Sequence, residues 1–311
     1  MSSLLVLGDR GSGLTTFVGL LYTVQVRLGT EESDEFRFHA DRETIRQLES
    51  IYGELGSGRF PYLDLDWEER PMSFVLGFRH GTFLGRARAT NPTAGAFDTV
   101  RVEVGGISAD ELADLGKHDA VLGEATRKLL RSQAILLLVD ASRLAPEPAG
   151  PEHDRMAGYD RLLAASLDLL GKFLAAQRRR RARTMFPYFV VTKFDQCPPE
   201  TLARLEAPTG DPRTWSADDR AHFGARLLHT YLFRTELWME ASRRATGGKV
   251  QEPCWFFSSL RTEESQGELR IARRSIVPNG GWEPEYPFEE YRAMIQSLGA
   301  LAHRLPDQLE A

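Results

Sequence analysis

The predicted fold follows from one N-terminal stretch, Ser3-Leu4-Leu5-Val6-Leu7-Gly8-Asp9-Arg10-Gly11-Ser12-Gly13-Leu14-Thr15-Thr16. Its apolar run predicts a buried strand over Ser3–Leu7, and a helical pattern follows from Leu14 to Arg27. The glycines between them have the spacing of the phosphate-binding loop G-x-x-x-x-G-K-[ST]. Backbone N–H groups of such a loop bind anions together with the positive end of the helix dipole. We therefore expect phosphate-binding groups at Gly8, Arg10, Gly11, Ser12, Gly13, Leu14, Thr15 and Thr16.

The loop departs from its motif at the lysine. Leu14 stands where lysine delivers a positive charge to the β- and γ-phosphates. Arg10 lies in the same loop and can fold over the phosphates, or it can point to solvent or pair with a carboxylate. The Thr15 hydroxyl is placed to ligate Mg²⁺. Taken alone, the segment also fits a glycine-rich turn that binds no ligand.

A second motif follows the predicted buried strand Pro187–Thr192. The residues Thr192-Lys193-Phe194-Asp195 have the form [NT]-K-x-D. The Asp195 carboxylate can accept hydrogen bonds from the N1–H and the exocyclic amine of guanine, while the stem of Lys193 covers the base. Ligands of open α/β sheets bind at the carboxyl ends of the strands, where this motif lies. We therefore expect Thr192, Lys193 and Asp195 to bind guanine. The alternative is a turn with a charged pair.

Two weaker motifs follow other predicted strands. The predicted last strand, Trp255–Ser258, leads into Phe257-Ser258-Ser259-Leu260, where a turn of Ser258, Ser259 and Leu260 can offer a backbone N–H to the guanine O6. The segment Glu103-Val104-Gly105-Gly106 has the spacing of D-x-x-G, with Glu for Asp. Glu103 can hold a water on Mg²⁺, and Gly106 can offer its N–H to the γ-phosphate. Each segment also fits an ordinary turn at a strand end.

The rest of the chain alternates short apolar runs with helical patterns, which predicts βαβ units and a mostly parallel sheet within one α/β domain, 1–311. Further strands are expected at Ser73–Arg79, Thr99–Val104 and Ala134–Val139. Helices are expected from Ser108, over Arg155–Leu174, after Ser216 (carrying Phe223, Leu227, Tyr231 and Leu232) and around Tyr291–Leu298. Segments rich in proline, glycine and charge are expected on the surface: 29–71, with a helix around Glu43–Gly53, 145–153, 198–215 and 261–287.

Composition and charge argue against several classes of protein. The formal net charge is 39 − 44 = −5, which gives no support to a DNA-binding protein. The longest apolar run, Ala134–Val139, is too short to span a bilayer, and the N-terminus lacks the basic region of a signal peptide. Two cysteines, Cys197 and Cys254, cannot form a disulfide framework. We expect a cytoplasmic protein, and the excess of arginine over lysine favours a bacterial source.

The histidines are scattered and predict no zinc site. The densest charged run, Arg178–Arg183, can bind an anionic membrane, a nucleic acid or an acidic partner. It also fits a solvated helix end, where cations interact favourably with the helix dipole.

The order of these motifs, from the glycine loop through E-x-x-G and T-K-x-D to S-S-L, resembles the Ras-like P-loop GTPases of the translation-factor-related class. The resemblance runs from Ser3 to about Leu305. It is closest to divergent prokaryotic members with large insertions, such as the "double-GTPase" proteins found beside bacterial conflict-system genes. It implies a six-stranded sheet with helices on both faces, and GTP or GDP with Mg²⁺ at the carboxyl edge.

The catalytic positions depart from that family. Ile107 follows Gly106, where the family has the glutamine that orients the attacking water. No threonine occurs between Ile45 and Gly81, where the family has a switch threonine on Mg²⁺. We therefore expect a guanine-nucleotide switch with weak or absent GTP hydrolysis, and we name no catalytic residue. The alternative is a pseudo-GTPase scaffold that presents the fold to a protein partner. A P-loop kinase or ATPase has no use for T-K-x-D.

Overall fold

The computed structural model describes residues 2–9, 11–30, 36–61, 72–79, 97–104, 132–145, 150–176, 184–265, 267–276 and 281–304. Within them the main sheet has seven strands in the spatial order β2-β3-β4-β1-β5-β6-β7. Strands β4, β1, β5, β6 and β7 are parallel, and β3 is antiparallel to both of its neighbours. The strands are β1 Ser2–Leu7, β2 Phe36–Ala40, β3 Met72–Arg79, β4 Phe97–Val104, β5 Ala134–Asp140, β6 Phe186–Thr192 and β7 Cys254–Phe257.

All the strands predicted from apolar runs are present, and the sheet is mostly parallel as expected. It has one strand more than the six expected. The additional edge strand, β2, lies inside the segment 29–71, where only a helix was expected. Phe36 is buried there, and Phe38 stacks on Phe74 of β3 with ring centroids 4.3 Å apart. The packing of these two aromatic side chains stabilises the five-residue strand. The polar residues around them left no apolar run from which the strand could be predicted.

Seven α-helices flank the sheet within the described part of the chain. The predicted helix after Ser216 begins there, because Ser216 and Asp219 form a capping box. It ends at Tyr231, and a second helix starts at Phe233, so that Leu232 lies between the two. The helix expected from Ser108 falls outside the described residues. The helices are α1 Leu14–Thr30, α2 Arg42–Gly56, α3 Pro151–Ala176, α4 Pro199–Arg204, α5 Ala217–Tyr231, α6 Phe233–Ala245 and α7 Phe288–Arg304.

Two apolar clusters cover the two faces of the sheet. Helices α1, α2 and α7 pack on the face that contains Leu4 and Val6. Helices α3, α5 and α6 pack on the face that contains Leu5 and Leu7. Since β1 is buried on both faces, its apolar run is continuous rather than alternating, as is typical of a central parallel strand. None of the helices in the described ranges is long and apolar enough to cross a membrane.

Two segments expected on the surface contribute to the core as well. In 198–215, Leu205 and Trp215 are buried in the cluster beneath α3 and α5. The segment 261–287 forms two hairpins, β8 Thr262–Ser265 with β9 Glu268–Ile271, and β10 Arg273–Ile276 with β11 Gly281–Pro284. Ile271 of the first hairpin is fully buried. A few large apolar residues within these polar segments are buried, which explains why the segments are held against the core.

Candidate functional site

The predicted phosphate loop joins the end of β1 directly to the first residue of α1. Gly11 and Gly13 have φ of 78° and 85°, in the left-handed region that glycine adopts without strain. The Ser12 N–H donates to the Asp9 carbonyl at 2.9 Å, which closes the turn. The first N–H groups of α1 have no helical acceptor and so remain available to an anion. Arg10 lies outside the described residues.

The T-K-x-D segment contacts this loop. Thr192 Oγ1 donates to the Ser12 carbonyl at 2.7 Å and to the Val139 carbonyl at 3.3 Å. Lys193 Nζ donates to the Gly11 carbonyl at 2.8 Å. The backbone of Lys193 is itself left-handed, with φ of 51°. The two strongest motifs of the sequence therefore meet at the carboxyl edge of the sheet, as the strand order requires.

Asp195 lies in the short 3-10 turn Phe194–Gln196 that follows Lys193. Phe194 anchors this turn, since its ring packs edge-on against Phe257 at 5.0 Å and its N–H donates to the Ser258 carbonyl at 3.1 Å. Asp195 itself is solvent-exposed, yet the surrounding protein partly desolvates its carboxyl group and raises its pKa. Two N–H donors of a ligand would stabilise the ionised form of a partly desolvated carboxylate in this position.

In the S-S-L turn, Ser258 makes hydrogen bonds within the protein. The Ser258 N–H donates to the Val191 carbonyl at 2.8 Å, and its hydroxyl lies 2.6 Å from the Tyr291 hydroxyl. The hydrogen bonds of Ser258 are thus made within the protein, and its role in guanine binding stays a prediction. The other two residues of the turn are Ser259, which is half-buried, and Leu260, whose side chain is buried.

The positions predicted to bind phosphate and metal depart from the motif. Leu14 is buried, with 6% of its surface exposed, and belongs to the apolar cluster on the α1 face of the sheet. Glu103 pairs in register with Leu5 and forms an ion pair with Arg101 at 3.6 Å. Gly106 lies outside the described residues. The same ranges contain no group of three or more His, Cys, Asp or Glu that could hold a metal ion.

The structure adds two residues that the sequence analysis missed, Asp140 and Arg143. Asp140 ends β5, and its Oδ1 accepts from the N–H and the hydroxyl of Ser142 at 3.0 and 2.6 Å. Its Oδ2 accepts from Lys193 Nζ at 2.7 Å. Arg143 Nη1 donates to the carboxylate of Asp9 in the phosphate loop. Asp140 was detectable, because it directly follows an apolar run at the carboxyl end of a parallel strand.

Comparisons with known proteins give a distant likeness alone. No family model matches the chain, and no curated protein matches it. Among solved structures, a chain of the "Signal recognition particle receptor SRb-GTP/SRX complex from Chaetomium thermophilum" is similar over 83% of this chain and 90% of its own length. The sequence identity is 15% and the TM-score is 0.36.

Proposed function

We propose that the chain is a guanine-nucleotide-binding switch protein with weak or absent intrinsic GTP hydrolysis. The observation that carries this proposal is the contact of T-K-x-D with the phosphate loop, through Thr192 on Ser12 and Lys193 on Gly11. These two hydrogen bonds join the loop to the segment that carries the exposed carboxylate of Asp195. A nucleoside phosphate needs this pairing of a base-reading group with a phosphate-binding group at one edge of a sheet.

In this proposal the two ends of the nucleotide have separate partners. The base is read by Asp195 and by the backbone N–H groups of Ser259 and Leu260, and the stem of Lys193 covers its face. The phosphates lie on the backbone N–H groups of the loop and of the first turn of α1. Mg²⁺ would be held by the Thr15 hydroxyl, with Glu103 acting through a water.

Slow hydrolysis follows from the residues at the positions that normally do the chemistry. Leu14 brings no charge to the leaving phosphate, and Ile107 cannot orient a water. An arginine supplied by a protein partner raises such rates by roughly 10³–10⁵ in GTPases, so a partner could restore turnover. Phosphate release from the purified protein over hours tests this expectation. A rate equal to that of an unassisted small GTPase, about 10⁻⁴ per second or faster, would contradict it.

A second candidate function is a pseudo-GTPase scaffold that presents its surface to a protein partner. The burial of Leu14 favours it, because the residue at the lysine position stabilises the apolar core rather than facing a ligand. Binding of GDP and GTP separates the two candidates.

Calorimetric titration with GDP, GTP and ATP, with and without Mg²⁺, tests the proposed function. We expect binding of the guanine nucleotides and a preference over ATP that Asp195→Ala removes. Asp218→Ala is the matched control, since Asp218 is an exposed aspartate in the first turn of α5, outside the site. Equal affinity for ATP and GTP in the unaltered protein would contradict guanine recognition. Binding of no nucleotide would favour the scaffold.

A further inference from the structure

Four ionised side chains form a closed chain of contacts that starts and ends on the phosphate loop. Arg143 Nη1 donates to the Asp9 carboxylate within the loop, and Arg143 Nε lies 3.4 Å from Asp140 Oδ2. The same oxygen of Asp140 accepts from Lys193 Nζ at 2.7 Å. Lys193 returns to the loop by donating to the Gly11 carbonyl at 2.8 Å. We call Asp9, Asp140, Arg143 and Lys193 the charge ring.

The ring lies partly inside the protein, where charges interact more strongly than on the surface. The side chains of Asp140 and Arg143 are 2% and 14% exposed. The guanidinium of Arg143 lies against the loop itself, because a Cβ added to Gly11 would be 3.0 Å from Arg143 Nη2. Partial burial reduces the screening of these charges by water. The ion pairs of the ring therefore interact more strongly than ion pairs on the protein surface.

Asp9 is an unexpected residue in a loop whose ligand is anionic. Its negative charge lies one residue from Gly8 and opposes the approach of a phosphate. The Glu152 carboxylate, 3.9 Å from Arg143 Nε, adds to this field. The ring and Glu152 together hold three carboxylates and two cations, a formal charge of −1, which becomes −2 without Arg143.

We infer that Arg143 is a positioning residue of the phosphate loop. It fixes the orientation of the loop through Asp9, and it cancels the charge that Asp9 places there. The loop thereby keeps the shape and the potential that bind an anion, although Leu14 has replaced the lysine. The ligand in this inference, the diphosphate group of a guanine nucleotide, rests on the proposed function. The positioning of the loop does not rest on it, since the contacts that position the loop join residues of the protein alone.

Hydrogen exchange in the nucleotide-free protein tests the positioning. We expect Arg143→Gln to speed exchange of the loop amides from Gly11 to Leu14 about tenfold, with unchanged exchange in β6. Arg213→Gln is the matched control, because Arg213 forms an exposed ion pair with Asp211 away from the loop. Arg143→Lys keeps the charge but offers a single ammonium group, so it should give an intermediate rate. Loop exchange that is unchanged in Arg143→Gln would overturn the inference.

A double-mutant cycle with GDP tests the charge cancellation. We expect Arg143→Gln to weaken GDP binding about tenfold in the unaltered chain, and less than threefold in the Asp9→Asn background, where no loop charge needs cancelling. Arg143→Lys should restore most of the affinity. An equal loss in both backgrounds would overturn the inference. If the unaltered protein binds neither GDP nor GTP, the proposed function fails, and the exchange experiment alone decides the role of Arg143.

Discussion

Lys193 Nζ and Asp140 Oδ2 lie 2.7 Å apart and join the ends of two neighbouring parallel strands, β6 and β5. The Asp140 side chain is 2% exposed, while that of Lys193 is 33% exposed. The carboxylate therefore depends on its protein partners for compensation, whereas the ammonium group can turn toward water. The stability of the protein should therefore depend more on Asp140 than on Lys193.

Asp140→Ala should lower the free energy of unfolding by about 2–4 kcal/mol, because it leaves the Ser142 N–H without its side-chain acceptor and removes the carboxylate that pairs with the Lys193 ammonium. Urea unfolding measures the loss. Asp211→Ala is the control, since Asp211 also accepts from a backbone N–H two residues later and pairs with an arginine, but is exposed. It should cost about 1 kcal/mol or less. Equal losses in the two variants would show that burial of Asp140 carries no extra stability.

Two helical glycines predict opposite effects of alanine. A Cβ at Gly224 in α5 would lie 2.0 Å from the Trp255 ring, which itself stacks on Phe189 at 4.5 Å. Gly224→Ala should therefore destabilise the protein by about 2 kcal/mol or more despite its better helix propensity. Gly158 in α3 has open space at the same position, so Gly158→Ala should stabilise by about 1 kcal/mol. Thermal unfolding of both variants provides the comparison, and a stable Gly224→Ala protein would contradict the packing of α5 on β7.

The Ser12 hydroxyl is buried and has no hydrogen-bond partner among the described residues. Ser12→Ala should leave stability unchanged or raise it by about 1 kcal/mol, since an unsatisfied buried hydroxyl carries a desolvation cost. Thr235→Val is the contrasting variant, because Thr235 Oγ1 donates to the buried Asp160 carboxylate at 2.7 Å. It should cost about 1–3 kcal/mol. A clear loss of stability in Ser12→Ala would mean that its hydroxyl has a partner.

The affinity for guanine nucleotide should depend on pH through Asp195. Desolvation raises the pKa of this carboxyl group, and only its ionised form accepts from both guanine donors. Affinity should therefore reach its full value at a pH well above the raised pKa. It should decline as the pH falls through that pKa, because the Asp195 carboxyl group of the nucleotide-free protein then becomes protonated. Calorimetric titration with GDP between pH 4 and 8 measures the effect, and Asp195→Asn should flatten the profile. A decline that persists in Asp195→Asn would assign it to another group.

The sequence was sufficient to predict the elements that depend on long apolar runs and on glycine spacing. β1, β5 and β6 are buried on both faces, so their composition identifies them without knowledge of their neighbours. The meeting of Lys193 with the phosphate loop also follows, because both lie at carboxyl ends of parallel strands. The edge strand β2 did not follow, since its pairing depends on Phe74 of a distant segment. The contact of Arg143 with Asp9 was equally hidden, because 134 residues separate them, Asp9 occupies a variable position of the loop motif and Arg143 belongs to no motif.

Leu14→Lys should change stability and binding in opposite directions. The leucine is buried in the apolar cluster of α1, so a lysine there either loses this packing or buries part of its stem. Without nucleotide, the free energy of unfolding should fall by about 2–3 kcal/mol. With GTP present, the new ammonium group can reach the β- and γ-phosphates and should tighten binding at least tenfold.

The matched control for this change is Leu14→Met, which keeps the apolar volume. It should cost less than about 1.5 kcal/mol and leave nucleotide binding unchanged. Thermal unfolding with and without GTP, followed by calorimetric titration, separates the two effects because only the binding effect depends on nucleotide concentration. Suppose that Leu14→Lys is destabilised but binds GTP no more tightly than the unaltered chain. The lysine would then point away from any phosphate, the loop would not form a triphosphate site, and the scaffold function would be favoured over the switch.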